Sequence, residues 1–255
     1  FYLIYLTNSA FISSYFSCVI SPRSNLSFAF FVKEKKRFNG ITFIKVKQLA
    51  LRYKNFPKFS LPADLINVVS NQIPTFFFTI YFNTATAGFY SLTQRMLAMP
   101  IALIGRSVLD VFRERAASDY IRLGNCKVIF IKTAKSLFLI AIIPSLIIFF
   151  FSPYLFALIF GEEWRHSGEY ARILSVLFFT RFIVNPLSYV IYIAEKQKYD
   201  MIWQIALFFI SVISLATGVY WNNASISIIN FSLSYSVMYL IYFFLSYNCA
   251  KGTLR

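Results

Sequence analysis

The chain is poor in charge, in histidine and in glycine. Only 14% of its 255 residues are charged, whereas soluble domains carry about 25%. With 58% apolar and 20% aromatic residues and a mean hydropathy of +0.62, a water-soluble globule, a disordered chain and a coiled coil are excluded. The three cysteines, Cys18, Cys126 and Cys249, are too far apart for a thiol pair or zinc motif. The chain has one histidine and eight glycines, which leaves few residues to build a metal cluster or a glycine-rich phosphate-binding loop. We therefore expect no cofactor.

Long apolar segments are what the chain does contain. A helix that crosses a bilayer needs about 20 mostly apolar residues, and such a segment has to be helical because lipid cannot satisfy a free backbone. The sequence therefore predicts an all-α polytopic membrane protein with about seven spans. The predicted spans are 1–20, 64–82, 88–112, 128–151, 171–194, 201–221 and 224–247.

The basic residues indicate the orientation of these spans. The net charge is +15, and twenty lysines and arginines fall in 21–63, 113–135, 196–198 and the tail 248–255. The opposite loops, including 152–170, contain only Arg165. Because cytoplasmic loops collect lysine and arginine, we expect the basic loops and the C-terminus to be cytoplasmic. The same rule explains the positive net charge, so no nucleic-acid partner is expected. Anionic phospholipid is the expected partner.

The predicted organisation has four parts. Residues 1–20 form one span, 21–63 a basic cytoplasmic connector, 64–247 a lobe of six spans, and 248–255 a tail. Within the connector, 41–53 is either a short amphipathic surface helix or a solvated basic loop. The chain starts inside an apolar run and without methionine, so we expect its N-terminal part to be missing.

Arginines within the predicted spans are the main functional signal, because a charge inside a membrane is costly and usually faces a cavity or a partner. Arg95 and Arg106 are eleven residues apart and fall within about 20° on one helix face. Asp110 offers Arg106 a structural alternative, namely an ion pair. Arg181 lies near the middle of its span and shares a face with Asn185, Ser188 and Tyr192. Its alternative is a structural ion pair with an acid in the N-terminal part that we expect to be missing.

The span 64–82 adds polar residues on one side. Asp64, Asn67, Asn71 and Thr75 either line the same cavity or make hydrogen bonds between helices. Candidate cavity residues are therefore Arg95, Arg106, Arg181, Asn71 and Asn185. No catalytic constellation is recognisable, and His166 is interpreted as a solvated loop residue.

Several short motifs between residues 53 and 115 resemble a known family. They are YKNFPKFSLP at 53–62, NQIP at 71–74, AGFYSLTQR at 87–95, MPIALIG at 99–105 and VF at 111–112. Together they resemble the O-antigen and capsule flippases, which are polysaccharide biosynthesis proteins of the multidrug/oligosaccharidyl-lipid/polysaccharide exporter superfamily.

The resemblance implies two six-helix lobes around a central cavity, with this chain holding the last span of the first lobe and all of the second. It also implies translocation of undecaprenyl-pyrophosphate-linked oligosaccharide across the bacterial inner membrane by alternating access, beside other envelope-glycan assembly proteins. Arg95, which belongs to a matching motif, would attract the pyrophosphate or acidic sugars. Three alternatives remain open, of which one is a purely structural membrane subunit. A drug/cation antiporter would need acidic cavity residues, and a membrane-embedded polymerase or ligase would need a large outside loop.

Overall fold

Six long helices account for almost all of the described chain. A computed structural model of the protein describes residues 56–252, so the predicted span 1–20 and the possible surface helix 41–53 lie outside the described residues. A π-helical turn, Phe56–Ser60, leads into the first helix, and a four-residue helix, Val190–Ile193, follows the fourth. The long helices are α1 (Leu61–Tyr81), α2 (Thr84–Leu123), α3 (Lys127–Phe160), α4 (Arg165–Leu187), α5 (Gln197–Tyr220) and α6 (Ala224–Ala250).

Four of these helices are long and apolar enough to cross a membrane. They correspond to α3, α4 together with its flanking turns, α5 and α6. Many large apolar side chains stay exposed, among them Leu139, Ile143 and Leu158 of α3 at 65–68%. Such a surface suits lipid rather than water. The chain is an all-α polytopic membrane protein. The remaining helices, α1 and α2, occupy two further predicted spans but are more polar.

Two predicted loops are wrong. Residues 113–135 form the continuous ends of α2 and α3, joined only by Gly124–Cys126, and 152–170 is helical except around Gly161–Trp164. The reason is that lysine and arginine are good helix formers, so charge marks the contact with water and not the end of a helix. At 40 residues, α2 is about 60 Å long, twice the hydrocarbon thickness.

Local capping residues explain where several helices begin and end. The side chain of Asn83 accepts a hydrogen bond from the backbone N–H of Thr86 at 2.7 Å, and Asn223 caps α6 in the same way. These are preferred N-cap residues because they satisfy N–H groups that the first turn leaves free. At the other end of α2, Gly124 adopts the left-handed conformation (φ 71°) that glycine permits at a C-terminus.

Helix α4 lies at the centre of the bundle, where it packs against α2, α3 and α6, while α5 packs against α6 and α1. Small residues allow the closest approaches. At Gly168 of α4, a side chain would collide with the backbone of Pro153 in α3. The Ser152 hydroxyl also donates to the carbonyl of Gly168 at 2.7 Å. The result is a close α3–α4 contact at the start of α4, the helix whose polar face lines the cavity described below.

Candidate substrate cavity

A cavity of about 660 Å³ opens between α1, α2 and α4. The structure places all five candidate residues from the sequence in its wall: Asn71, Arg95, Arg106, Arg181 and Asn185. We call this space the arginine cavity, after its three arginines. Residues that are up to 114 positions apart in the chain thus share one wall.

Helix α2 supplies two of the three arginines. Arg95 and Arg106 both line the cavity and both are exposed, as their shared helix face predicts. Their separation of three turns spreads them over about 16 Å along the axis. Asp110 pairs with Arg113 at 3.2 Å, so the predicted alternative, an Asp110–Arg106 pair, is not formed.

Helix α4 supplies the third arginine. Arg181 and Asn185 are one turn apart and face the cavity, together with Pro186. The other two polar residues predicted on this face lie elsewhere. The hydroxyl of Ser188 donates to the carbonyl of Asn185 at 2.8 Å, and Tyr192, after the helix has ended, donates to Asp200 at 2.7 Å. The polar face that the sequence predicts therefore does not continue along the cavity beyond the end of α4 at Leu187.

The polar residues of α1 divide between the two predicted roles. Asn71 and Thr75 line the cavity. One turn earlier, Asn67 donates to the side chain of Gln204 in α5 at 3.0 Å, which is a hydrogen bond between helices. The amide of Asn71 in turn donates to the Oδ1 atom of Asn67 at 3.0 Å. The inter-helix bond thereby anchors one cavity residue.

Arg181 has an environment without an acid. Its Nη2 atom donates to Oδ1 of Asn71 at 3.2 Å, and its Cζ atom lies 5.8 Å from the ring centroid of Tyr239 in α6. The Nε atom is buried and finds no hydrogen-bond partner among residues 56–252. Across the same residues no carboxylate lies within ion-pair distance of Arg181. Asn71 and Tyr239 therefore fix the position of the guanidinium, and no described carboxylate neutralises its charge.

The cavity wall as a whole is cationic. Three arginines line it, and none of its described lining residues is acidic. Amides and hydroxyls supply the remaining polar surface, and leucine, isoleucine and phenylalanine supply the apolar part. Three positive charges without a described acidic neighbour give the wall an electrostatic preference for anions over cations.

Sequence reasoning missed some residues here. Gln72 and Gln94 also line the cavity, and their signal was a polar side chain inside a predicted span. A buried acidic residue, Asp200, was not predicted either; it is 1% exposed and accepts hydrogen bonds from Tyr192 and Tyr242. We call these three residues the aspartate cluster. They lie outside the wall of the arginine cavity.

His166 is exposed in the first turn of α4, as expected of a solvated residue. Its Nδ1 atom lies 2.9 Å from a carboxylate oxygen of Glu169, and its ring packs against Phe89. This is a surface pair, and the contribution of such pairs is small.

Comparison with known proteins supports the resemblance. A family described as polysaccharide biosynthesis protein matches residues 48–169, which include all of the motifs between 53 and 115. The matched segment covers α1, α2, α3 and the start of α4, and so contains Asn71, Arg95 and Arg106 but not Arg181. No curated protein and no solved structure gives a significant match to the chain.

Proposed function

From the match of residues 48–169 to polysaccharide biosynthesis proteins, we propose that the chain belongs to a flippase. It moves polyprenyl-pyrophosphate-linked oligosaccharide from the cytoplasmic to the outer leaflet of the bacterial inner membrane, for O-antigen or capsule synthesis. The observation that carries this proposal is the arginine cavity. Three arginines line it, and no acidic residue lies in the described part of its wall.

The geometry suits a pyrophosphate or an acidic sugar. Arginine offers planar pairs of N–H donors that match phosphate oxygens. Arg95 and Arg106 lie three turns apart on α2, and Arg181 faces the same space from α4. An anion leaving one guanidinium can therefore reach another without crossing uncompensated lipid. Alternating access then requires only that the cavity open first to one leaflet and next to the other.

The charge of the wall argues against a drug or cation antiporter. A cationic substrate would need carboxylates in the cavity, because opposite charge offsets the cost of desolvation. In the part of the wall that the structure describes, the charged residues are all arginines.

The connections argue against a membrane-embedded polymerase or ligase. Such an enzyme needs room for an acceptor and a donor glycan outside the membrane. At the end of the bundle where Arg165 lies, the described connections are short: residues 82–83, 161–164 and 221–223. We therefore propose a transporter without enzymatic activity.

Arg95→Ala and Arg181→Ala test the proposal in cells that carry the full-length protein. We expect surface glycan to be lost or strongly reduced while the membrane level of the protein stays normal, because the cavity loses substrate attraction and not packing. A glycan gel beside an immunoblot of membrane fractions measures both. Arg122→Ala is the control, since Arg122 is exposed at the end of α2 and outside the cavity wall.

Two results separate the alternatives. Arg→Lys variants should keep part of the activity if the arginines act as point charges, and little if they grip phosphate with two donors. Normal glycan in both alanine variants contradicts the proposal. Degradation of the Arg181→Ala protein points instead to a structural ion pair with an acid outside the described residues.

We also propose that the chain ends in the cytoplasm. Introduced cysteines near Arg115 and Lys198 should be labelled by an impermeant thiol reagent only in opened cells, and one near Arg165 in intact cells. Burial raises the pKa of the Cys126 thiol to about 12, so at pH 7 to 8 it stays protonated and reacts slowly. Outside labelling at Lys198 overturns this topology.

The proposed partners follow from the same orientation. Lys127 and Lys132 are exposed near the turn between α2 and α3, where anionic phospholipid head groups would meet them. Other envelope-glycan assembly proteins would act before and after translocation.

A further inference from the structure

Arg181 rests against a tyrosine that is itself fixed in place. Tyr239 of α6 is 3% exposed, and the ring of Trp203 packs edge-on against it with centroids 5.3 Å apart and an interplanar angle of 78°. The indole N–H of Trp203 donates to the carbonyl of Met238 at 3.0 Å. This bond ties α5 to α6 and leaves the Tyr239 ring little freedom to turn.

The way in which Arg181 is held matters for its chemistry. A guanidinium has five N–H donors, and a bidentate carboxylate would take two of them and cancel the charge. An aromatic ring attracts the cation through its face and takes no donor. With Tyr239 on one side, whose ring face and hydroxyl both interact with the guanidinium, and a hydrogen bond to Asn71, Arg181 keeps its charge and most of its donors.

Two more tyrosines strengthen this environment. Tyr90 of α2 and Tyr235 of α6, with Tyr239, are the groups that interact electrostatically with Arg181. Both are almost fully buried, and neither lines the cavity. Three neutral phenols thus replace the acid that usually accompanies a buried cation.

We propose that Tyr239 is a positioning residue, which holds the Arg181 guanidinium at the cavity wall with its charge and donors available to the anionic group of the substrate. The inference rests on the proposed function and adds a residue that never touches the substrate. Asn71 completes the arrangement by fixing one edge of the guanidinium.

Binding of geranylgeranyl pyrophosphate to the detergent-purified full-length protein tests this inference. Tyr239→Phe keeps the ring face but loses the hydroxyl that interacts with Arg181, and it should weaken binding by only about two- to threefold. Tyr239→Leu removes the ring and should weaken binding about tenfold. Phe130→Leu is the control for loss of a buried ring, because Phe130 packs among Phe112, Phe243 and Tyr247, and it should bind normally.

A second variant tests the same point without disturbing the core. Asn71→Asp places a carboxylate beside Arg181, where it should pair with the guanidinium and weaken binding of the probe at least tenfold; it also removes the amide donor to Asn67, so thermal stability is measured beside binding. Gln72→Glu adds the same charge to the cavity wall without a contact to Arg181. Its effect should be clearly smaller.

The outcomes distinguish the two proposals. If the wild type fails to bind, or binds no better than Arg181→Ala, the proposed function and this inference both fail. If Arg181→Ala loses binding but Tyr239→Leu binds like the wild type, only the positioning role is overturned. Equal losses in Tyr239→Leu and Phe130→Leu also overturn it, since they indicate a general loss of packing. If Tyr239→Leu does not fold, normal binding by Asn71→Asp overturns the inference.

Discussion

Arg181 and Asp200 are both charged residues inside the bundle, but their exposure and their hydrogen bonding are opposite. Asp200 is sealed at 1% exposure, and its two carboxylate oxygens accept hydrogen bonds from Tyr192 and Tyr242. It lies in the first turn of α5, where the helix dipole favours an anion. Arg181 faces a cavity, hydrogen-bonds the neutral side chains of Asn71 and Tyr239, and has a buried Nε atom without a partner among the described residues.

The difference between the two charges separates a structural role from a functional one. A carboxylate whose oxygens are all occupied stabilises the packing around it and can bind nothing further. Removing it leaves buried donors unsatisfied, which is costly. A guanidinium with unused donors beside an open space gains most from an anion that comes and goes. The comparison therefore predicts loss of folding at Asp200 and loss of binding at Arg181.

The largest effect on stability is expected from Asp200→Ala. It removes the carboxylate that accepts from the hydroxyls of Tyr192 and Tyr242, and each lost hydrogen bond to this buried carboxylate costs about 1 to 3 kcal/mol. The free energy of unfolding should fall by about 2 to 6 kcal/mol in total, and little protein should reach the membrane. An immunoblot and the thermal unfolding midpoint measure this. Asp110→Ala, which removes an exposed carboxylate paired with Arg113, should change neither, and equal losses in both variants contradict the structural role.

Tyr192→Phe and Tyr242→Phe should have intermediate effects, because each removes one donor from a carboxylate that keeps the other. We expect each to lower the free energy of unfolding by about 1.5 to 3 kcal/mol, the range for hydrogen bonds to charged groups. Tyr242→Phe retains the ring that stacks on Trp203 with centroids 3.9 Å apart, so packing is preserved. Thermal unfolding of the single variants and the double variant provides a cycle. If the single variants and the double variant all lose almost no stability, Asp200 has no structural role and the comparison with Arg181 fails.

The smallest effect on stability is expected from Arg181→Met. No described carboxylate loses a partner, and an apolar side chain of similar length fills the space. The free energy of unfolding should change by less than about 1 kcal/mol or rise, as when a buried charge is replaced by an apolar residue. Surface glycan should nevertheless be lost. A drop in stability like that of Asp200→Ala shows that Arg181 has a structural partner, and then the comparison fails.

The helices were largely predictable, and their ends were not. Runs of apolar residues place α3 to α6 because lipid demands about 20 of them in sequence. The same logic ended the predicted span 88–112 directly before Arg113. The helix α2 instead continues to Leu123, because helix formation depends on the backbone and on capping by Gly124 and not on polarity.

The cavity was predictable where a charge interrupts an apolar run. Arg95, Arg106 and Arg181 stand out against their neighbours, and periodicity alone aligns the first two. Tyr239 gave no signal, because tyrosines are common in this chain and its partner lies 58 positions away. Asp200 fell between two predicted spans and was overlooked as a boundary residue. Which polar residue faces the cavity and which bonds another helix, as for Asn71 and Asn67, depends on tertiary packing.

Accessibility of the cavity to a polar reagent is the most direct measurement of the central claim, that the arginine cavity is a water-filled anion site. Ser91→Cys lies in its wall and Val128→Cys is exposed outside it, both in a full-length protein without other cysteines. The account predicts that a charged thiol reagent labels both, and that geranylgeranyl pyrophosphate protects Cys at position 91 but not at 128. Failure to label position 91, or labelling that the pyrophosphate lipid leaves unchanged while position 128 reacts normally, contradicts it.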